Sequence, residues 1–304
     1  MSIAFKLTAL VAAVSLSSPA FSDTPIATYA GDVSVATSPA SIAVLDMAAV
    51  DTLDALGVDI AGISTPHYVD YLDHVADNAV SVGSLFEPDF EGLANLGVDL
   101  IIAGGRSSRQ VEPLSKIAPT IDMTIWADEN STLMEQSLSR LAAFGTLTGT
   151  EDTAMHLANE FRTKAAAAKA AAANKGNGLI VMTNGPKVSA YGAGSRFGWI
   201  HDVLDLPEAV EGVDEQTHGE AISFEFIAKA NPDWLIVIDR AAAIGQDGDA
   251  ASVTLDNALV AGTTAWQNGN VIYLNSANVY IAGGGYQSMM HTFDTFITGF
   301  GGGA

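Results

Sequence analysis

The 304-residue chain contains no cysteine, which excludes a disulfide framework, thiolate metal ligands and a lipid-modified N-terminal cysteine. Cations are scarce: 13 Lys and Arg stand against 35 Asp and Glu, for a formal charge of −22. Nucleic-acid binding needs a concentrated basic surface, so this balance argues against it. Beyond the N-terminus, no apolar run approaches the ~20 residues of a membrane span. No G-x-S-x-G elbow and no H-E-x-x-H pair appears, so neither a familiar hydrolase nucleophile nor a zinc-protease site is offered.

Residues 1–22 carry Lys6, an apolar core from Leu7 to Leu16, Pro19 and a small-x-small ending at Ala20, Phe21 and Ser22. This is the pattern of a secretory signal peptide, and it predicts an exported mature chain beginning near Asp23, most simply in a bacterial periplasm.

The mature chain is organised around a faint internal repeat. F-E-G-L-A-N-L-G-V-D-L-I-I-A-G-G-R, Phe90 to Arg106, matches F-E-F-I-A-K-A-N-P-D-W-L-I-V-I-D-R, Phe224 to Arg240, at six of the seventeen positions. Both copies read as a short helix, an Asp, a buried parallel strand and an Arg. In open α/β sheets ligands sit outside the carboxyl ends of the strands, so each copy is expected to deliver its Arg to a crevice.

In chain order, Val33–Thr37, Ile42–Gly57 and Val58–Ile63 read as strand, helix and strand. His67 and His74 have no metal-ligand spacing and are expected at the surface. The segment from Gln110 to Ile121 adds a helix and a strand. Thr132 and Glu135 form a capping-box pattern opening a helix to about Phe144. A second helix, from Thr150 to about Asn174, is long enough to act as a strut between two α/β halves. Lobes are therefore expected at 23–130 and 175–304, with the connecting helices at 131–174.

After Lys175 come two strands and a glycine turn, S-A-Y-G-A-G-S-R-F-G-W-I-H-D. The spacing G-x-G-x-x-x-G is one residue too long for a dinucleotide fingerprint, and the glycines are expected instead to let backbone approach a ligand beside Arg196. Four of the six arginines, Arg106, Arg109, Arg196 and Arg240, fall in or beside loops, whereas Arg140 and Arg162 fall in helices. His156, His201 and His291 sit in helical patterns and read as structural.

The strings S-A-Y-G-A-G-S-R-F-G-W-I-H-D, T-H-G-E-A-I-S-F-E, V-I-D-R-A-A-A-I-G and N-V-Y-I-A-G-G-G resemble those of periplasmic substrate-binding proteins of ABC importers for ferric siderophores, in particular the enterobactin-type catecholate branch. One departure is Val98, where such proteins commonly carry proline before the Asp, as Pro232 stands in the second copy. The resemblance implies a class III, helical-backbone metal-receptor fold: two Rossmann-like α/β lobes joined by a long helix, with ligand held between them. It implies a monomeric, non-enzymatic binding protein, with no intrinsic cofactor, that binds Fe(III) as a siderophore complex and serves an inner-membrane permease.

Matched residue by residue, the resemblance implies that Arg106, Arg196 and Arg240 surround the siderophore. It also implies that His218 and Tyr280 face the iron, as direct ligands if the siderophore leaves coordination positions open, and that Glu91 and Glu225 dock on the permease. The chemistry is compatible: guanidinium forks neutralise and hydrogen-bond anionic catecholate oxygens. The competing ligands are haem, cobalamin or a hydroxamate siderophore, and the competing class is a secreted hydrolase. An Arg at a strand end also has an ordinary alternative, pairing with a nearby carboxylate.

Overall fold

A computed structural model describes residues 23–126, 131–213 and 219–301, so the expected signal peptide lies outside the described residues. The chain opens with an antiparallel ribbon, β1 (Asp23–Thr28) and β2 (Gly31–Ala36). Two five-stranded sheets follow. In the first, β3 (Ile42–Val44), β4 (Gly62–Ile63), β5 (Val80–Ser81), β6 (Leu100–Ala103) and β7 (Thr120–Asp122) lie in the order β5-β4-β3-β6-β7, all parallel.

In the second, β8 (Gly178–Asn184), β9 (Lys187–Tyr191), β10 (Glu220–Ile222), β11 (Trp234–Asp239) and β12 (Val271–Tyr273) lie in the order β10-β9-β8-β11-β12. Here β9 runs antiparallel to both of its neighbours, while β8, β11 and β12 are parallel.

One expectation changes at the start of the chain. Val33–Thr37 falls in a strand as expected, β2 of the ribbon, but Ile42–Gly57 is not one helix: Ile42–Val44 is a fully buried central strand, and the helix runs from Met47 to Ala55. A short continuous apolar run fits a buried strand and a buried helix equally, and the break is made by Asp46, whose carboxylate accepts the Ala49 N–H at 3.0 Å as N-cap.

The repeat builds matching frames. Asp89 caps the helix Phe90–Leu96 and Ser223 caps Phe224–Ala230; each helix ends in a left-handed residue, Gly97 at φ 65° and Asn231 at φ 41°. The shared Asp has the same task in both copies. Asp99 accepts the N–H groups of Ala40 and Ser41 just before β3, and Asp233 accepts that of Asn177 just before β8. Each carboxylate thus pins the start of its sheet's central strand beside the repeat strand.

Between the sheets in sequence lie the helices Leu133–Thr148 and Glu151–Ala172. The first opens on the expected capping box, with Thr132 N–H donating to Glu135 at 2.8 Å and Glu135 N–H to Thr132 Oγ1 at 3.2 Å. The second spans ~33 Å at 1.5 Å per residue. Its buried residues Ala154, Phe161, Ala165, Ala168 and Ala172 form one stripe at helical spacing. That stripe meets the closing helix Tyr286–Phe300, where Phe161 and Phe293 pack edge to face at 5.3 Å.

One apolar core runs from Ile42 and Val44 through Phe161 to Ile180 and Ile236, so the inner faces of both sheets share it; the outer faces carry smaller separate cores. The lobes also meet through a polar contact. Asp51, from the Met47–Ala55 helix, accepts the backbone N–H groups of Gln287 at 2.7 Å and Ser288 at 2.8 Å, and the Tyr71 hydroxyl. A carboxylate of the first lobe therefore caps the closing helix of the second. Burial, partly offset by these hydrogen bonds, pushes the Asp51 carboxyl up to about 7. Among the described residues, no helix is long and apolar enough to cross a membrane.

Candidate functional site

The three arginines expected at the site are each held by a local frame, whereas Arg109 lies at the end of the 3-10 segment that carries Arg106. Beyond β6, Gly105 turns the chain at φ 52° into a short 3-10 segment carrying Arg106. The frame is pinned on both sides: Gly105 N–H donates to Thr124 Oγ1 at 2.7 Å, and Ser107 Oγ donates to the Leu45 carbonyl at 3.1 Å. Arg240 follows β11 directly, opening a short helix capped by Asp239 through the Ala242 N–H at 3.1 Å.

Arg196 sits in the loop after β9. A Cβ on Gly198 would fall 1.8 Å from the Ala193 carbonyl oxygen, so glycine there lets the loop close on its own backbone. The closed loop fixes where the Arg196 side chain emerges.

The three arginines converge on Tyr280, the last residue of the helix Ser276–Tyr280 that Asn275 caps. Arg106, from the first lobe, and Arg196, from the second, both donate to the Tyr280 carbonyl oxygen, at 2.8 and 2.7 Å. Arg240 Nε donates to the phenol oxygen at 3.2 Å. Their Cζ atoms lie 5.3, 4.4 and 5.8 Å from the Tyr280 ring centroid for Arg106, Arg196 and Arg240. Cation–π attraction therefore accompanies the hydrogen bonds.

Among the described residues none of the three guanidiniums has a carboxylate within 4.0 Å, so the ordinary alternative, an ion pair at a strand end, finds no partner among them. By contrast, Arg140 is buried and donates to the carbonyls of Ala27 and Thr124, a structural use.

The electrostatics favour an anion. Burial, then the charge of Arg106, lowers the proton affinity of Arg196. Like charges are thus gathered at a cost that an anion entering among them would offset. At Tyr280 burial is the largest influence and raises the phenol, but the Arg240 hydrogen bond and the charges of Arg196, Arg240 and Arg106 outweigh it and hold the group below its ordinary value. A phenol so placed gives up its proton more readily than an ordinary tyrosine.

Beside the cluster lies a cavity of about 220 Å³. Arg196, Arg240 and Tyr280 line it together with residues the sequence reading passed over: Met182, Asn184, Lys187, Ser189 and Tyr191. The period-2 pattern of K-V-S-A-Y could have marked Lys187, Ser189 and Tyr191 as sharing one face. Which face meets the cavity depends on the pairing with β8.

His218 lies outside the described residues, which resume at Gly219. Glu91 and Glu225 are exposed and occupy the same place in the first turn of the two repeat helices. Each helix leads back into a parallel strand of its sheet, so both glutamates stand on the side where the strands end. His67 and His74 hydrogen-bond to Asp73 and Asp54 at 2.8 and 2.7 Å, and His201 is buried against the Leu206 carbonyl at 2.9 Å.

Two α/β lobes on a long backbone helix, with a site between them, define the class III periplasmic binding proteins. Residues 42–277 match the family model described as periplasmic binding protein, and the chain belongs to that family. It is 40% identical to the petrobactin-binding protein YclQ of Bacillus subtilis over 83% of this chain and 80% of that one. The crystal structure of YclQ superposes with a TM-score of 0.86, covering 93% of this chain and all of that chain (100%).

The ferric-anguibactin-binding protein FatB of Vibrio anguillarum is 30% identical over 89% of this chain and 85% of its own. The periplasmic catecholate-siderophore binding protein VctP of Vibrio cholerae, at 29% identity, superposes with a TM-score of 0.84 over 90% of this chain and 99% of that one.

Proposed function

We propose that this chain captures a ferric catecholate siderophore between its lobes and delivers it to the inner-membrane permease of an ABC importer. The observation that carries the reading is the convergence of Arg106, Arg196 and Arg240, without carboxylate partners among the described residues, on a Tyr280 phenol whose proton affinity they lower. Relatives whose names include petrobactin-, ferric-anguibactin- and catecholate-siderophore-binding proteins support it.

In this reading the guanidiniums bond the catecholate oxygens and offset the negative charge of the chelate. Where the siderophore supplies only four donors, the Tyr280 phenolate and His218 complete the iron sphere. Haem, cobalamin and hydroxamate chelates, the competing cargoes, have no comparable need for three guanidiniums beside a phenolate. The role is binding without turnover. Glu91 and Glu225, equivalent across the repeat, are the docking contacts for the permease.

Fluorescence titration of the mature protein against ferric catecholates, a ferric hydroxamate, haem and cobalamin tests the reading. Quenching that saturates at low concentration with the catecholates alone is expected; preference for any other cargo overturns it. In the same experiment Glu91→Ala with Glu225→Ala leaves affinity unchanged, while uptake in cells falls. Normal uptake by that double variant removes both residues from the docking role.

A further inference from the structure

The register of the β8–β9 hairpin sorts its residues onto two faces. The pairs Ile180–Tyr191, Met182–Ser189 and Asn184–Lys187 alternate with Val181–Ala190 and Thr183–Val188. Val181, Val188 and Ala190 from the second set pack into the outer core of the lobe. Met182, Asn184, Lys187, Ser189 and Tyr191 from the first set line the cavity beside Arg196, Arg240 and Tyr280.

Along that face the chemistry changes in steps. Met182 and Tyr191 offer an apolar surface on which an aromatic ring can lie; Ser189 follows; Asn184 and Lys187 stand at the tip, where Gly185 reverses the chain at φ 57°. The Asn184 carbonyl oxygen faces Arg240 Nη1 at 3.5 Å, which leaves its amide hydrogens as donors.

The Lys187 ammonium and the Ser189 hydroxyl have no hydrogen-bond or ion-pair partner among the described residues. Among the described residues Lys164 and Lys169 find carboxylates, Asp294 at 2.8 Å and Asp205 at 3.1 Å, whereas Lys187, like Lys116, Lys175 and Lys229, forms no ion pair; of these only Lys187 lines the cavity. A third cation, beside Arg196 and Arg240, therefore stands on the wall of the cavity.

We infer that the hairpin tip, Lys187 with Asn184 and Ser189, is a second anion subsite that receives an acidic oxygen-bearing arm of the chelate lying outside the three arginines. It lets the protein distinguish cargoes by charge. The inference rests on the siderophore reading above. A ferric centre held by two catecholates carries a single negative charge, and either a carboxylate on the scaffold or a third catecholate adds to it. The arginines serve the part common to all such chelates, whereas Lys187 meets the part that differs. A lysine is a compact point charge on a flexible stem, suited to an arm whose position varies.

The test compares Lys187→Gln with wild type by fluorescence titration against three ferric chelates: a plain bis-catecholate, a bis-catecholate bearing a free carboxylate, and a tris-catecholate. The variant is expected to bind the last two about fivefold more weakly, the upper range for an exposed charge pair, and the first unchanged. Lys187→Arg restores binding, and raised salt erases the difference. Weakening confined to one of the acidic chelates supports the subsite and identifies which arm it takes. Equal affinities of variant and wild type for all three, or an equal loss for all three, overturn it while leaving the siderophore reading standing. If wild type binds none of the three, the siderophore reading itself fails, and the subsite with it.

Discussion

The two lobes share a frame and differ in one strand. In the first, β4 enters parallel to the central β3; in the second, the strand at the same place, β9, returns antiparallel from β8 as a hairpin. Parallel neighbours need a crossover that covers the sheet, whereas a hairpin leaves its tip and one face free. Arg240 is the counterpart of Arg106; what the hairpin adds to the second lobe is Arg196, in the loop after β9, and a wall of the cavity. A duplicated architecture thus contributes unequally: one lobe supplies a single cation to the cluster, and the other supplies two cations, Tyr280 and the lining of the cavity.

The largest expected effect tests that division directly. Arg106→Ala, Arg196→Ala and Arg240→Ala each weaken binding of a ferric catecholate by roughly 1.5–3 kcal/mol, the range for a charge-assisted hydrogen bond. Lysine at the same positions restores only part, because the planar fork is lost. Unchanged dissociation constants for all three would remove the cluster from the binding surface; a loss confined to the second-lobe pair would show that one lobe suffices.

A smaller and more selective effect is expected at the iron. Tyr280→Phe and His218→Ala weaken a four-donor catecholate complex more than a six-donor one, whose coordination sphere is already full. Wild type shifts the charge-transfer band of the four-donor complex and imposes one handedness in circular dichroism. Equal losses for both chelates, with the spectrum of the free chelate retained, reduce the two residues to cleft lining.

The smallest effect probes the contact that joins the lobes. The folded Asp51 carboxyl titrates near 7, above its ordinary 3.8, so the folded chain holds a proton that the unfolded chain releases. Its contribution to stability is full below the ordinary value and is lost as pH rises through about 7. Tyr71, Asp54, His74, Tyr286, Glu160 and His291 surround this contact. His74, raised by its hydrogen bond to Asp54, loses its contribution in the same direction. Asp51→Asn keeps an oxygen for the helix N–H groups but does not titrate. Its thermal midpoint should therefore fall less than wild type between pH 4 and 7; parallel curves would assign the pH dependence elsewhere.

Much of this arrangement was legible in the residues. The repeat located both strand-end arginines, because a helix, an Asp and a buried apolar strand carry the same grammar in each copy. Thr132 and Glu135 announced their helix through local hydrogen bonds that need no tertiary context. The reading failed at Ile42–Val44, where three apolar residues carry no period of their own and only Asp46 marks the boundary. Lys187 and Asn184 were passed over because their meaning lies in a cross-strand register. Asp51 reads as one more acidic residue on an amphipathic helix until its partners, Gln287 and Ser288, arrive from the far end of the chain.

The bond that joins the two lobes at the cluster ends on the main-chain oxygen of residue 280, while in the proposed reading the iron-facing group is that residue's side chain. A carbonyl is present whatever amino acid is encoded. Mutation at this codon can therefore exchange the phenol for another group without removing the acceptor that Arg106 and Arg196 share. The contact between the lobes and the proposed selectivity thus occupy one position yet depend on different atoms of it, so a change of side chain leaves the contact standing.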